Sequence, residues 1–152
     1  MSTTTELTAS KLWIVLARCH HALQQLVERD ITGLGLCLSD FMVLEALLHK
    51  GPLTISQIQA KVLLASGSMT AAVDRVESRG LVVRKSVSND RRARLLELTS
   101  AGRRMIEGAF AEHSRHLEEA VSVLDEREKK QVYVGLKKLG RSVAAAEERK
   151  TI

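Results

Sequence analysis

The chain has 152 residues, 45% of them hydrophobic and 27% charged, with one proline, nine glycines and two cysteines. That length suits one compact domain of the usual ~100–200 residues, and the balance excludes a disordered or collagen-like chain. No apolar run approaches the ~18 residues of a membrane span, and residues 1–7 lack the basic-then-apolar layout of a secretory signal. Cys19 and Cys37 are too few for a disulfide scaffold and lack CxxC spacing, so a reducing cytoplasm is expected. The few aromatics (Trp13, Phe41, Phe110, Tyr133) argue against a β-sandwich or a base-stacking platform.

Leu12, Leu16, Cys19, Leu23 and Leu26 recur at steps of four and three, predicting a first helix over about 10–29 with one apolar seam. Cys19 on that seam reads as a buried, inert thiol. Gly33 and Gly35 end the helix. Ser39 is then expected to cap a second helix over about 40–49, with Phe41, Leu44, Leu47 and Leu48 inward and Gly51-Pro52 closing it. Thr54 and Gln57 form a capping box for a short third helix carrying Ile55, Ile58 and Val62 inward.

After Leu63-Leu64-Ala65, Ser66 can cap a fourth helix that ends at Gly80. Met69, Ala72, Val73 and Val76 give it an inward face at helical spacing. Its other face, Ser68, Thr70, Ala71, Asp74, Arg75 and Ser78, is short or polar. The segment 81–87 is rich in β-branched residues and predicts a strand. Ser88-Asn89-Asp90 is turn chemistry, and 94–98 predicts the return strand with Leu96 and Leu98 on one side. Thr99 caps a long helix over about 100–123. Asp125 caps a last one over about 126–148, striped by Val132, Leu136, Leu139, Val143 and Ala146.

The net charge of +5 is concentrated. Between Leu81 and Arg104 lie Arg84, Lys85, Arg91, Arg92, Arg94, Arg103 and Arg104 against only Asp90 and Glu97, which accounts for the whole excess. A local basic cluster is the footprint of a phosphate-backbone binder. A short helix pair followed by a basic hairpin spells a winged helix-turn-helix: mainly α, with a small β-hairpin wing. The major groove is ~12 Å wide and admits one helix, so a recognition helix needs one apolar face to anchor it and one short polar face to read bases. Residues 66–79 have both. The guanidinium groups of Arg91, Arg92 and Arg94 suit the negative potential of a narrow minor groove.

Leu98-Thr99-Ser100-Ala101-Gly102 following Asp90-Arg91-Arg92, all after the helix that runs into Gly80-Leu81-Val82, resembles the MarR family of bacterial transcription regulators. The likeness extends from about Leu12 to Val143. It implies a homodimer in which helices within 10–36 and 100–148 associate, while 37–99 forms the DNA-binding lobe on a pseudo-palindromic operator. It also implies that Asp90 and Arg92 pair at the wing tip and that Arg92 enters the minor groove. Ser66, Ser68, Thr70, Ala71, Asp74 and Arg75 then fall at the major groove, with Arg84, Arg91 and Arg94 completing the basic surface. The apolar seams of the terminal helices agree with dimerisation, since contiguous exposed apolar patches mark interfaces.

Family members respond to small aromatic, phenolic or oxidant signals, and the expected outcome is repression relieved by one of them. The stretch Leu63-Leu-Ala-Ser-Gly-Ser-Met-Thr70 is similar to members answering quinones or organic hydroperoxides. A non-covalent organic effector is the leading expectation, with Trp13, His20, Phe41 and Phe110 as aromatic lining. Thiol sensing through Cys37, or through Cys19, is an alternative. So is metal sensing through His113 and His116, spaced i, i+3, although no metal or cofactor is expected. There is no G-x-S-x-G, no phosphate loop and no H-E-x-x-H, so an enzyme is not expected. The competing class is a dimeric helical adaptor that binds no DNA.

Overall fold

In a computed structural model the described residues form six helices and a small sheet. The structure describes residues 6–62, 66–87 and 90–150, without the side chains of residues 66, 87, 90–93, 147, 148 and 150. The expected turn residues Leu63, Leu64, Ala65, Ser88 and Asn89 lie outside the described residues. In order come α1 (Ala9–Thr32), α2 (Leu38–Lys50), β1 (Leu53–Thr54), α3 (Ile55–Lys61), α4 (Ser66–Ser78), β2 (Val82–Val87), β3 (Asp90–Leu98), α5 (Ser100–Val121) and α6 (Glu126–Lys150). The chain divides into two compact units, residues 1–114 and 115–152.

The first unit holds the core. Ile31, Phe41, Val43, Leu44, Leu47, Ile58, Met69, Val73, Val76, Leu96 and Ile106 are buried together, so α1 to α5 and the sheet all contribute. Three predicted caps are present. Thr54 and Gln57 satisfy each other's backbone amides at 3.2 and 2.8 Å. The Thr99 hydroxyl accepts from the Gly102 amide at 3.0 Å and donates to the Gly80 carbonyl at 2.7 Å. At the end of α4, Gly80 takes φ +68, its amide donates to Glu77 and that of Leu81 to Val76. That pairing is the Schellman arrangement, with glycine at the left-handed position.

The structure corrects the sequence reading in four places. The second helix begins at Leu38, not after Ser39, because Asp40 reaches back to the Cys37 amide at 3.3 Å and so fixes Cys37 as the N-cap. The wing is not a bare hairpin. Leu53 and Thr54 pair with Leu96 and Leu95, giving an antiparallel sheet in the order β1-β3-β2. Two residues are too few to show a strand period, so this edge was not legible in the sequence. The return strand starts at Asp90, with a register shift between Ser86 and Val87. Finally, Cys19 is exposed rather than buried. The seam carrying it meets the core only near the end of α1, where Val27 packs against it and Ile31 is buried within it.

The second unit contains the end of α5 and all of α6. Asp125 caps α6 as expected, with Glu128 returning the hydrogen bond at 2.9 Å. Val132, Leu136, Leu139 and Val143 of its apolar stripe are exposed.

One close approach fixes where α5 starts. A Cβ added at Gly102 would lie 1.9 Å from the Leu81 carbonyl oxygen, which itself accepts the Thr99 amide at 3.0 Å. Only a hydrogen fits there. Gly102→Ala should therefore lower stability by about 1–3 kcal/mol or more, as overpacking does. Gly108→Ala on the same helix meets no atom within 4 Å and should be neutral or stabilising by up to about 1 kcal/mol. Urea unfolding of both variants checks this, and equal effects would contradict the contact.

Candidate nucleic-acid interface

The helix pair α3–α4 stands as the sequence reading expected. Met69, Ala72, Val73 and Val76 are completely buried, while Ser68, Thr70, Ala71, Asp74, Arg75 and Ser78 are all exposed. Full burial of four apolar side chains fixes α4 in place, at roughly 1.5–3 kcal/mol for each of the larger ones. Ser66 begins the helix, and its side chain lies outside the described set, as do those of Asp90, Arg91 and Arg92. The arginines of the wing tip are thus placed by backbone alone, on β3.

Several charged residues expected to meet DNA are engaged within the protein. Arg84 pairs with Asp74 and, at 2.9 Å, with Glu77, so β2 is tied to the outer face of α4. Lys85 pairs with Glu97, and Arg94 donates to Ser86 across the hairpin. Arg75 is the most heavily committed. Its Nε and Nη2 donate to one oxygen of Asp40 at 3.0 and 2.7 Å, and Nη2 also donates to the Ser39 hydroxyl at 3.0 Å. The Cys37 sulfur lies 3.1 Å from the same nitrogen. The hydrogen bond to Asp40 holds this guanidinium above its ordinary pKa, against the opposing cost of burial.

Arg79, the residue after α4, reaches in the same direction. It donates to the Leu34 carbonyl at 3.0 Å and the Gly35 carbonyl at 2.7 Å, in the loop between α1 and α2. Neither Asp40 nor Arg79 was singled out from the sequence. The only available signal was an aspartate beside the apolar run of α2, and its partner lies 35 residues away.

A cavity of about 280 Å³ opens between α1, α2 and α5. His20, Leu23, Gln24 and Val27 line it from α1, Leu38, Phe41, Met42 and Glu45 from α2, and His113 from α5. Of the four aromatic residues expected to line an effector site, His20 and Phe41 are there. Trp13 is exposed elsewhere on α1, and the Phe110 ring packs edge-on against His49 at 4.6 Å. His113 is buried with its Nδ1 3.2 Å from Asp30 and its ring edge-on to Phe41. Among the described residues no three His, Cys, Asp or Glu side chains come together as metal ligands. Cys37, like Cys19, is exposed. Among the described residues no helix is long and apolar enough to cross a membrane.

A buried-core helix pair, an outward polar helix face and an adjoining three-stranded wing define a winged helix-turn-helix DNA-binding protein. The MarR family profile matches residues 36–93. The chain is 38% identical to the HTH-type transcriptional regulator MhqR of Bacillus subtilis, over 86% of this chain and 90% of that one. Among solved structures, a MarR family protein from Bacillus stearothermophilus is 27% identical with a TM-score of 0.72, covering 95% of this chain and 99% of that one. The organohalide-sensing regulator RdhR, solved with 2,4-dichlorophenol bound, shares the fold at a TM-score of 0.77 and 17% identity, covering 93% of this chain and 89% of that one. The chain belongs to the MarR family and is a DNA-binding transcription regulator, as its relatives are regulators and not enzymes. The adaptor reading falls with that membership.

The Arg75–Asp40 contact has an asymmetry that can be measured. Asp40 is nearly fully buried, whereas the Arg75 side chain is 46% exposed. Removing Arg75 strands a buried carboxylate, which costs about 3–5 kcal/mol when uncompensated. Removing the carboxylate charge leaves an arginine that can turn to water. Arg75→Met should therefore destabilise more than Asp40→Asn, and the double variant should be less destabilised than the sum of the two. Additive losses in denaturant unfolding would contradict the pairing.

Proposed function

We propose that the chain is a homodimeric repressor of a pseudo-palindromic operator, acting in the cytoplasm and released by a small aromatic effector. The observation that carries it is the single helix α4, whose apolar face is wholly buried and whose other face is short, polar and uncovered. In this reading Ser66, Ser68, Thr70 and Ala71 meet base edges in the major groove, where N-terminal residues of a recognition helix lie. Asp90, Arg91, Arg92 and Arg94 form the wing surface, with Arg92 in the minor groove. Asp74, Arg75 and Arg84 hold the helix and wing in register and approach the DNA as parts of that framework. Lobe 37–99 carries the DNA contacts, and helices within 10–36 and 100–148 carry dimerisation. Exposed Leu12, Trp13, Ile14 and Val15 on α1, and the exposed stripe of α6, support self-association.

The effector site is the cavity shared by His20, Phe41 and His113. Among the described residues its lining includes Glu45 and two histidines but no lysine or arginine. A carboxylate would meet the like charge of Glu45 there, whereas a neutral phenol could donate a hydrogen bond to it and stack on Phe41. The RdhR neighbour, which shares the fold, was solved with such a phenol bound.

Arg92→Ala should weaken binding to an operator selected from genomic fragments by about 1–3 kcal/mol without unfolding the protein. Wild-type affinity should fall steeply with salt, because neutralised phosphates release counterions. In the same gel-shift assay at pH 6, 2,4-dichlorophenol should release the operator and benzoate should not. Full binding by Arg92→Ala would remove the wing from the mechanism, and release by benzoate alone would overturn the effector class.

A further inference from the structure

Two arginines at the end of α4 turn their guanidinium groups back onto the protein. Arg75 reaches the first turn of α2, and Arg79 reaches the loop before it, residues 33–37, which joins α1 to α2. Arg79 spans the Leu34 and Gly35 carbonyls, and Arg75 grips Asp40 and Ser39. That loop joins two walls of the cavity, His20 to Val27 on α1 and Leu38 to Glu45 on α2. Gly35 sits at φ +64 within it, and Arg79 lies close enough that an added Cβ would touch its guanidinium at 3.8 Å. All of these hydrogen bonds are donated from one end of α4.

We propose that Arg79, steadied by Arg75, is a latch that couples the cavity to the recognition helix, with the loop 33–37 as the moving part. The inference rests on the operator reading above and names how that site is regulated. A ligand that spreads α1 from α2 displaces the loop between them, which pulls on the Arg79 guanidinium, while Arg75 holds the first turn of α2 to the same helix end. Arg79 is the diagnostic arm. Its fork spans two adjacent carbonyls with two nitrogens, which lysine cannot do. Arg75 also steadies a buried carboxylate, so its loss would mix coupling with stability.

Coupling between two sites is reciprocal, so the latch can be tested from the DNA side without an effector. Hydrogen exchange is measured on the full-length dimer, free and bound to its selected operator duplex. In the wild type, DNA should slow exchange across 66–78 and also across 23–37, by roughly fivefold or more in the latter. In Arg79→Ala the protection of 66–78 should remain, while 23–37 should return to its free rate. Arg79→Lys, which keeps the charge, should behave like Arg79→Ala, and unchanged thermal melting of both excludes unfolding as the cause. Protection of 23–37 that persists in both variants, or that never arises in the wild type bound to DNA, would overturn the latch. A wild-type chain that selects no duplex would instead sink the operator reading itself, and the latch with it.

Discussion

A recognition helix has to be held rigidly by one face while the other is left bare, and the rest of this structure serves that requirement. Met69, Ala72, Val73 and Val76 put every apolar side chain of the anchoring face into the core, against α2 and α3. Burial alone fixes depth but is non-directional, so it leaves rotation and tilt less determined. Directional contacts complete the task. Arg75 and Arg79 tie the end of α4 back to residues 34–40, and Arg84 joins its outer face to β2 through Asp74 and Glu77. In the proposed reading the uncovered serine, threonine and alanine side chains then need no contact of their own to be aimed at DNA.

The wing is fixed by a second small set of contacts. The Thr99 hydroxyl joins the Gly80 carbonyl to the first turn of α5, and Gly102 lets the Leu81 backbone pass close above it. Leucine-threonine followed by glycine three residues on therefore reads as a splice. It sets the exit of α4, the root of the hairpin and the start of α5 at a single point. The motif that carries the family resemblance has this mechanical meaning.

How much was legible follows from how local each determinant is. The faces of α4, the capping box at Thr54, the glycine at 80 and the caps at Thr99 and Asp125 depend on residues within one or two turns, and the sequence displays them. The Asp40–Arg75 and Arg79–Gly35 contacts join positions 35 to 44 residues apart, for which one sequence offers no periodicity to read. The same cause explains the start of α2, where Asp40, buried beside Arg75, reaches back to the Cys37 amide and outweighs the better capping propensity of Ser39. It also explains the cavity. His20 and Phe41 were found by being aromatic, whereas Gln24, Met42 and Glu45 had no chemical mark, and Trp13 and Phe110 carried the mark without the position.

The central claim is that the outer face of α4 lies against base edges. Ala71 on that face, with its buried neighbour Ala72 and the exposed Ala111 on α5, permits a test that changes no side chain. With alanine methyl groups labelled, NMR of the dimer on its operator should give intermolecular contacts from the Ala71 methyl to major-groove base protons. None should arise from Ala72 or Ala111. A saturated complex in which the Ala71 methyl meets no nucleotide proton would contradict the account.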